Sequence, residues 1–308
     1  YNLINFFTQR HYRKLQDFLS NKKKENSLNL FREEKLKLTK RIFSYTEIPN
    51  IVKEYDILIS GSDQVMNPFF LKNGEGKEMI SPSYFLGFEF NGRRIAYAVS
   101  FGCKEYPIQQ LNIAKQYLCK FEKIGVRERS GLSIVHKMQG HNPIVVPDPT
   151  ILLPPSDFIN LANQSNFFDQ NYHYAFFIRN SKQRKIEIPK FIKSNKILWN
   201  NDDNDYSIQT WLKKIYHAKS VITDSFHCVV MCLQLSRPFV VITEQSGKEG
   251  MNDRMYTLLE QLGLESQILH KSELQLLPER IKISYNSETI ATQLNKMRNI
   301  GIGFLKSI

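Results

Sequence analysis

At 308 residues the chain exceeds the length over which one hydrophobic core usually keeps growing, so two domains are expected. Hydrophobic residues at 42% and aromatics at 12% exclude a disordered or fibrous chain. A net charge of +12 calls for an anionic neighbour, whether nucleic acid, a membrane surface or a phosphorylated substrate, and composition does not choose among them.

Taken in chain order, residues 5–24 and 28–44 read as two polar helices with no strand before them. Residues 1–54 carry twelve Lys/Arg against six Asp/Glu, so half of the positive excess lies there. The run Lys22-Lys23-Lys24 and the charged stretch 32–41 are expected on a solvated helix face, with a peripheral contact to an anionic membrane as the alternative.

From Tyr55 the pattern changes. The apolar run Asp56-Ile57-Leu58-Ile59-Ser60 ends at Gly61, which reads as a buried strand feeding a loop. A strand over 94–100, a helix over 109–121, a strand over 123–127, a helix over 130–139 and a strand over 144–146 follow, and then the turn Pro147-Asp148-Pro149. The stretch Pro154-Pro155-Ser156-Asp157 and the polar segment 163–171 mark a domain boundary. Strands are expected again at 174–178, 197–199, 220–223 and 238–241, with helices at 207–217, 226–235 and 254–262. An amphipathic helix over 287–305 ends the chain.

Strands alternating with helices predict an α/β fold with parallel sheets and functional groups at the strand ends. The expected division is a domain over 1–153, a second over 154–286 and a terminal helix over 287–308. Cys103, Cys119, Cys228 and Cys232 sit in apolar neighbourhoods without CxxC spacing, which predicts packing in a reducing cytoplasm and neither a metal site nor a disulfide. No apolar window of membrane-spanning length and no signal-peptide layout is found, so a cytoplasmic location is expected, with the inner face of the membrane within reach of the basic stretch.

Three segments could carry chemistry. In Val221-Ile222-Thr223-Asp224-Ser225-Phe226-His227 an apolar strand stops at two residues able to cap a helix, and His227 falls in the first turn of that helix. Its backbone N–H groups offer an anion site, and His227 adds a titratable group beside it. In Gly61-Ser62-Asp63-Gln64-Val65-Met66-Asn67-Pro68 the glycine permits a tight turn, and the polar side chains after it suit sugar hydroxyls. In Gly125-Val126-Arg127-Glu128-Arg129-Ser130, Arg127 is placed to grip a carboxylate or phosphate with two parallel bonds, while Arg129 is expected in an exposed ion pair with a neighbour such as Glu128.

Together with the segments 84–88, 95–102, 146–153 and 222–242, these pieces stand in the order seen in polysaccharide pyruvyl transferases, and the chain resembles that family over about residues 55–245. A weaker match is Asn252-Asp253-Arg254 followed by Leu258-Leu259. Met66 stands where relatives commonly have Trp on the acceptor side, and Cys228 where they have Gly or Ala. The resemblance implies a GT-B-like fold, two Rossmann-like domains facing a cleft with the terminal helix crossing back, and a chain that begins inside the first domain.

It further implies transfer of the pyruvyl group of phosphoenolpyruvate onto a hexose or N-acetylhexosamine of a cell-surface polysaccharide or its precursor, the acceptor being a sugar or a lipid-linked oligosaccharide, forming a cyclic ketal, with no cofactor and no metal. His227 is then the acid or orients the phosphate, and Arg127, Ser225 and Arg254 contact the donor. Asp63, Gln64, Asn67 and Ser100 are candidates for the acceptor, and Asp224 orients or caps. Two other readings stay open at this point: a GT-B glycosyltransferase using a nucleotide sugar, and a basic nucleic-acid-binding protein, the latter motivated by charge alone.

Overall fold

The computed structural model describes residues 22–42, 44–71, 80–138, 142–192, 196–200, 205–247, 252–283 and 285–308. Its first strand, β1 (Ile57–Ser60), pairs in parallel with β2 (Arg93–Val99), which pairs with β3 (Lys123–Val126), which pairs with β4 (Ile144–Val145). Crossovers run through α3 (Ile108–Leu118) and α4 (Ser130–Lys137), after the helical residues 22–35 (α1) and the short α2 (Ile48–Val52). The second sheet has five parallel strands in the order β6-β5-β7-β8-β9: β5 (His173–Phe176), β6 (Ile197–Trp199), β7 (Ser220–Thr223), β8 (Phe239–Thr243) and β9 (Ile268–His270). The chain is therefore α/β with two parallel sheets, as the alternation predicts and as a GT-B-like fold requires.

The second sheet is a sandwiched layer, and its sequence says so. Every residue of β7 and β8 is buried, which is why they read as continuous apolar runs. Successive side chains go to opposite faces. Tyr174, Val221 and Val241 pack on one side with residues of α5 (Pro155–Asn163), α7 (Ile208–His217), α8 (Phe226–Gln234) and α9 (Asp253–Gln261). Ala175, Ile222, Val240 and Ile242 pack on the other with Ile188 of α6 (Ser181–Phe191) and Leu277 of α10 (Leu277–Arg280).

The strand order reverses at β5, whose two neighbours are β6 and β7, so the chain leaves β5 to one side and returns on the other. A crevice opens at such a switch point beyond the carboxyl ends of the strands, where ligands of open α/β sheets bind. Asp224, Ser225 and His227 follow β7 there, and Ile178 and Arg179 follow β5.

The terminal helix α11 (Ser287–Lys306) touches both sheets' cores: Ile290 and Leu294 pack with the five-stranded sheet, and Phe304 packs with Ile95, Tyr97 and Val146 of the four-stranded one. Gly301 allows the approach. A Cβ there would lie 2.5 Å from Leu152 Cδ2, 2.5 Å from Tyr97 Oη and 3.0 Å from Pro147 Cγ. Gly301→Val is expected to cost about 1–3 kcal/mol through overpacking, seen as a fall of several degrees in Tm. An unchanged melting curve would show that the helix does not sit this close.

The structure corrects several expectations. Residues 22–35 form one unbroken helix that ends before 36, not two helices meeting near 25–27; residues 5–21 lie outside the described residues. No loop follows Pro154, where the boundary is expected and left in place: the chain enters α5 directly, because Pro155 occupies the first helical position, where a missing N–H costs nothing. Phe158 and Ala162 then pack that helix into the second sheet's core. Helix α6 and strand β9 were not expected: α6 is polar around most of its circumference and contains Pro189, and β9 is three residues long. Cys103, Cys228 and Cys232 are buried, but Cys119 is exposed.

Candidate functional site

A cavity of about 640 Å³ lies between the strand ends of the two sheets. One wall carries Asp63, Gln64, Asn67 and Gly102 from the loops after β1 and β2, and the other carries Asp224, Ser225, His227 and Arg254. Glycine at 61 makes the first wall possible: its φ is +129°, and a Cβ would collide with the Tyr97 carbonyl. Asp63 then adopts φ 75°, a left-handed conformation that Asp tolerates, and its carbonyl accepts from Ser100 N at 2.9 Å.

Beneath this cavity sits a buried charge network centred on Asp148. Its Oδ1 accepts from Thr150 N at 3.1 Å and Thr150 Oγ1 at 2.7 Å, which fixes the turn in which it lies. Its Oδ2 accepts from the Arg127 guanidinium at 2.8 Å, has the Ser62 hydroxyl at 3.2 Å, and lies 3.5 Å from His227 Nε2. Burial alone would push Asp148 up, but the imidazole and the Arg127 charge outweigh it and hold the carboxyl well below the usual carboxylate range.

His227 Nε2 is therefore the end of a carboxylate–imidazole pair whose ring remains 40% exposed toward the cavity. The carboxylate fixes the orientation of the ring and leaves its other edge turned toward whatever enters the cavity.

Arg127 corrects an expectation. Its guanidinium is 2% exposed and already committed, to Asp148 and, at 2.7 Å, to Asp63 Oδ1, while its Nε lies 4.0 Å from the buried Glu128. It lines a smaller cavity of about 240 Å³ rather than the large one, and its fork is not open to a substrate anion. Of the two arginines that line the large cavity, Arg179 and Arg254, the latter reaches Asp63 at only 3.6 Å and has a buried Nε with no hydrogen-bond partner. Burial and the positive charge of Arg127 pull Arg254 down to about 10, which still leaves it protonated at neutral pH.

Both guanidiniums rest on one ring, Phe226, at 4.6 Å for Arg127 and 5.7 Å for Arg254. The negative face of that ring offsets part of the cost of holding two like charges together.

Of the other expected residues, Asp63 and Gln64 line the cavity wall, but Asn67 is 2% exposed with both ends of its amide used, donating to Gln64 Oε1 at 2.6 Å and accepting from Phe69 N at 2.9 Å. It shapes the loop. Ser100 is fully buried beneath the strand end and lines no part of the cavity, which removes it as an acceptor contact. Met66 is likewise fully buried in the first sheet's core, so the residue at that position faces inward and not toward a ligand. Ser225 caps α8 by accepting from Cys228 N, and Asp224 holds the loop after β5 by accepting from Ile178 N at 2.8 Å and Arg179 N at 2.9 Å. Arg129 does form an exposed ion pair, with Glu260 of α9 at 3.2 Å instead of with Glu128.

Sequence reasoning missed Asp148, Phe226 and the aromatic rim of Phe69 and Phe70. The signal for Asp148 was present in its placement between two prolines directly after β4, a strand-end position like those of Asp63 and Arg127.

Residues 2–246 match a family model described as polysaccharide pyruvyl transferase. No curated protein matches the chain.

Proposed function

We propose that this chain, which belongs to the polysaccharide pyruvyl transferase family, transfers the pyruvyl group of phosphoenolpyruvate to two hydroxyls of a sugar and releases phosphate. The observation that carries the reading is an imidazole, His227, backed by a buried carboxylate and opening on the same cavity as the incompletely paired guanidinium of Arg254.

In this reaction a proton adds to the methylene carbon of the donor, and C2 becomes a cation stabilised by its attached oxygen. One sugar hydroxyl adds to C2 and gives up its proton. The C2–O bond to phosphorus then breaks, phosphate leaves with the electron pair, and the second hydroxyl adds and loses its proton to close the ketal. His227 supplies the first proton from the edge of its ring that faces the cavity, with Asp148 holding the ring in place. Arg254 holds the donor's carboxylate or phosphate, and Arg127 positions Asp148 and Asp63 without touching the donor. Asp63 and Gln64 hold acceptor hydroxyls on the facing wall.

The decisive assay is phosphate release from phosphoenolpyruvate in the presence of galactose, glucose, mannose and N-acetylmannosamine derivatives. Release dependent on a sugar, with pyruvate recovered as a ketal, is the expected result; nucleotide release from a nucleotide sugar in its place would overturn the reading. Arg254→Gln is expected to raise KM for phosphoenolpyruvate about 10–100-fold, the worth of one or two charged hydrogen bonds. A donor KM equal to that of the unaltered protein would remove Arg254 from the donor site.

A further inference from the structure

We propose that a second cavity, of about 280 Å³ and adjoining the first, seats a pyranose ring of the acceptor saccharide. The word acceptor rests on the pyruvyl-transfer reading; the binding of a sugar ring does not. This cavity shares Ile178, Ser225 and His227 with the larger one, so a ring lodged in it lies against the imidazole.

Its walls have the two chemistries a pyranose needs. Phe176 of β5 and Trp211 of α7 meet with ring centroids 5.6 Å apart at an interplanar angle of 51°, Tyr206 extends the aromatic surface, and the buried Tyr174 backs it from the core. The C–H face of a sugar ring packs on such a surface, and its hydroxyls then project from the edge toward polar groups at the rim. Asp205 supplies one there. Although burial pushes its carboxyl up, bonds from Thr210 and Ser207 hold it below its ordinary value, so it is an anion that accepts from hydroxyls.

Lys24 of α1 and Lys214 line the cavity beside this carboxylate, so the rim offers both donors and an acceptor to sugar hydroxyls. Lys214, the buried ammonium nearby, lies over the Phe167 ring at 5.4 Å and is electrostatically coupled to Asp205. The volume falls just under that of pockets for larger organic ligands, roughly 300–1,000 Å³, and suits a single ring.

The chain has two tryptophans, and Trp199 lies on the opposite face of the sheet against Phe177. Trp199→Phe thus leaves Trp211 as the sole indole reporter in the full chain. Titration with methyl glycosides of galactose, glucose, mannose and N-acetylmannosamine is expected to change its emission saturably for at least one sugar. Tyr206→Ala should weaken that binding about tenfold, the loss of one aromatic contact. In initial-rate assays Trp211→Ala should raise KM for the same sugar about tenfold, leave KM for phosphoenolpyruvate unchanged, and be rescued by Trp211→Phe.

No emission change with any of the four sugars, or a change caused by UDP and by none of them, overturns the proposal. Sugar binding at Trp211 without phosphate release would sink the pyruvyl reading and leave the sugar site standing. Sugar-dependent phosphate release with an unperturbed Trp211 would do the reverse.

Discussion

His227→Ala is expected to lower sugar-dependent phosphate release from phosphoenolpyruvate by about 10²–10⁴-fold, the usual contribution of a positioned proton donor. The protein itself should melt nearly unchanged. The imidazole is 40% exposed at the start of α8, and the helix is capped by Ser225, not by His227. Its removal leaves Asp148 with the bonds from Thr150 and Arg127, so no buried charge is stranded. KM for the donor should move less than kcat, because Arg254 carries the anion. Turnover within a few-fold of the unaltered protein would dismiss His227 as the acid.

Asp148→Asn should damage stability and activity together, and this separates it from the first variant. The carboxylate is 1% exposed and is the shared partner of Arg127 and His227. Neutralising it leaves a buried guanidinium short of one counter-charge, a class of change that costs about 3 kcal/mol or more, or roughly 5–10 °C in Tm. It also removes the anion that fixes His227, so kcat should fall by a factor approaching that of His227→Ala.

The pH dependence follows from the sign of the shift. Because Asp148 is held below its ordinary value when folded, its stabilisation is complete above about pH 4, where the unfolded chain is also ionised. It is withdrawn as pH falls below about 4 toward the folded-state value. Acid denaturation of the Asn variant should therefore lack this component, and its stability deficit should shrink on going from pH 7 to pH 3. A deficit that stays constant across that range would show that the Asp148 charge is not what stabilises the network.

Local pattern sufficed wherever a segment's neighbours in sequence set its environment. The apolar run at Ser220–Thr223 is a strand buried on both faces, whereas those at Ile57–Ser60 and Ile197–Trp199 are sheet-edge strands and only partly buried, with Ile59 half exposed where a buried strand is expected; all three stop at turn residues. The tight turn at Gly61, the capped helix that begins beside His227 and the two parallel sheets were all legible on that basis. The motifs also sufficed for the family, since their order over some 190 residues is a far narrower signal than any single one.

What the sequence could not specify was which charges are already matched. Arg127 and Arg254 look alike as isolated guanidiniums, yet one is held between Asp63 and Asp148, 64 and 21 residues away, and the other is left facing the cavity. The start of α4 shows the same thing. It has no side-chain cap of its own, and Asp253 and Thr257 of α9 accept from Ser130 N and Arg129 N across more than 120 residues. Burial of Asn67, Ser100 and Met66 was likewise hidden, because polarity and motif position describe a side chain's chemistry while its direction is set by the loop that carries it. The sequence by itself determined the kinds of groups delivered to the strand ends; only the tertiary structure decided which of them neutralise one another and which remain for a ligand, since a charge interaction depends on distance in space and falls off over a few ångströms, whatever the separation along the chain.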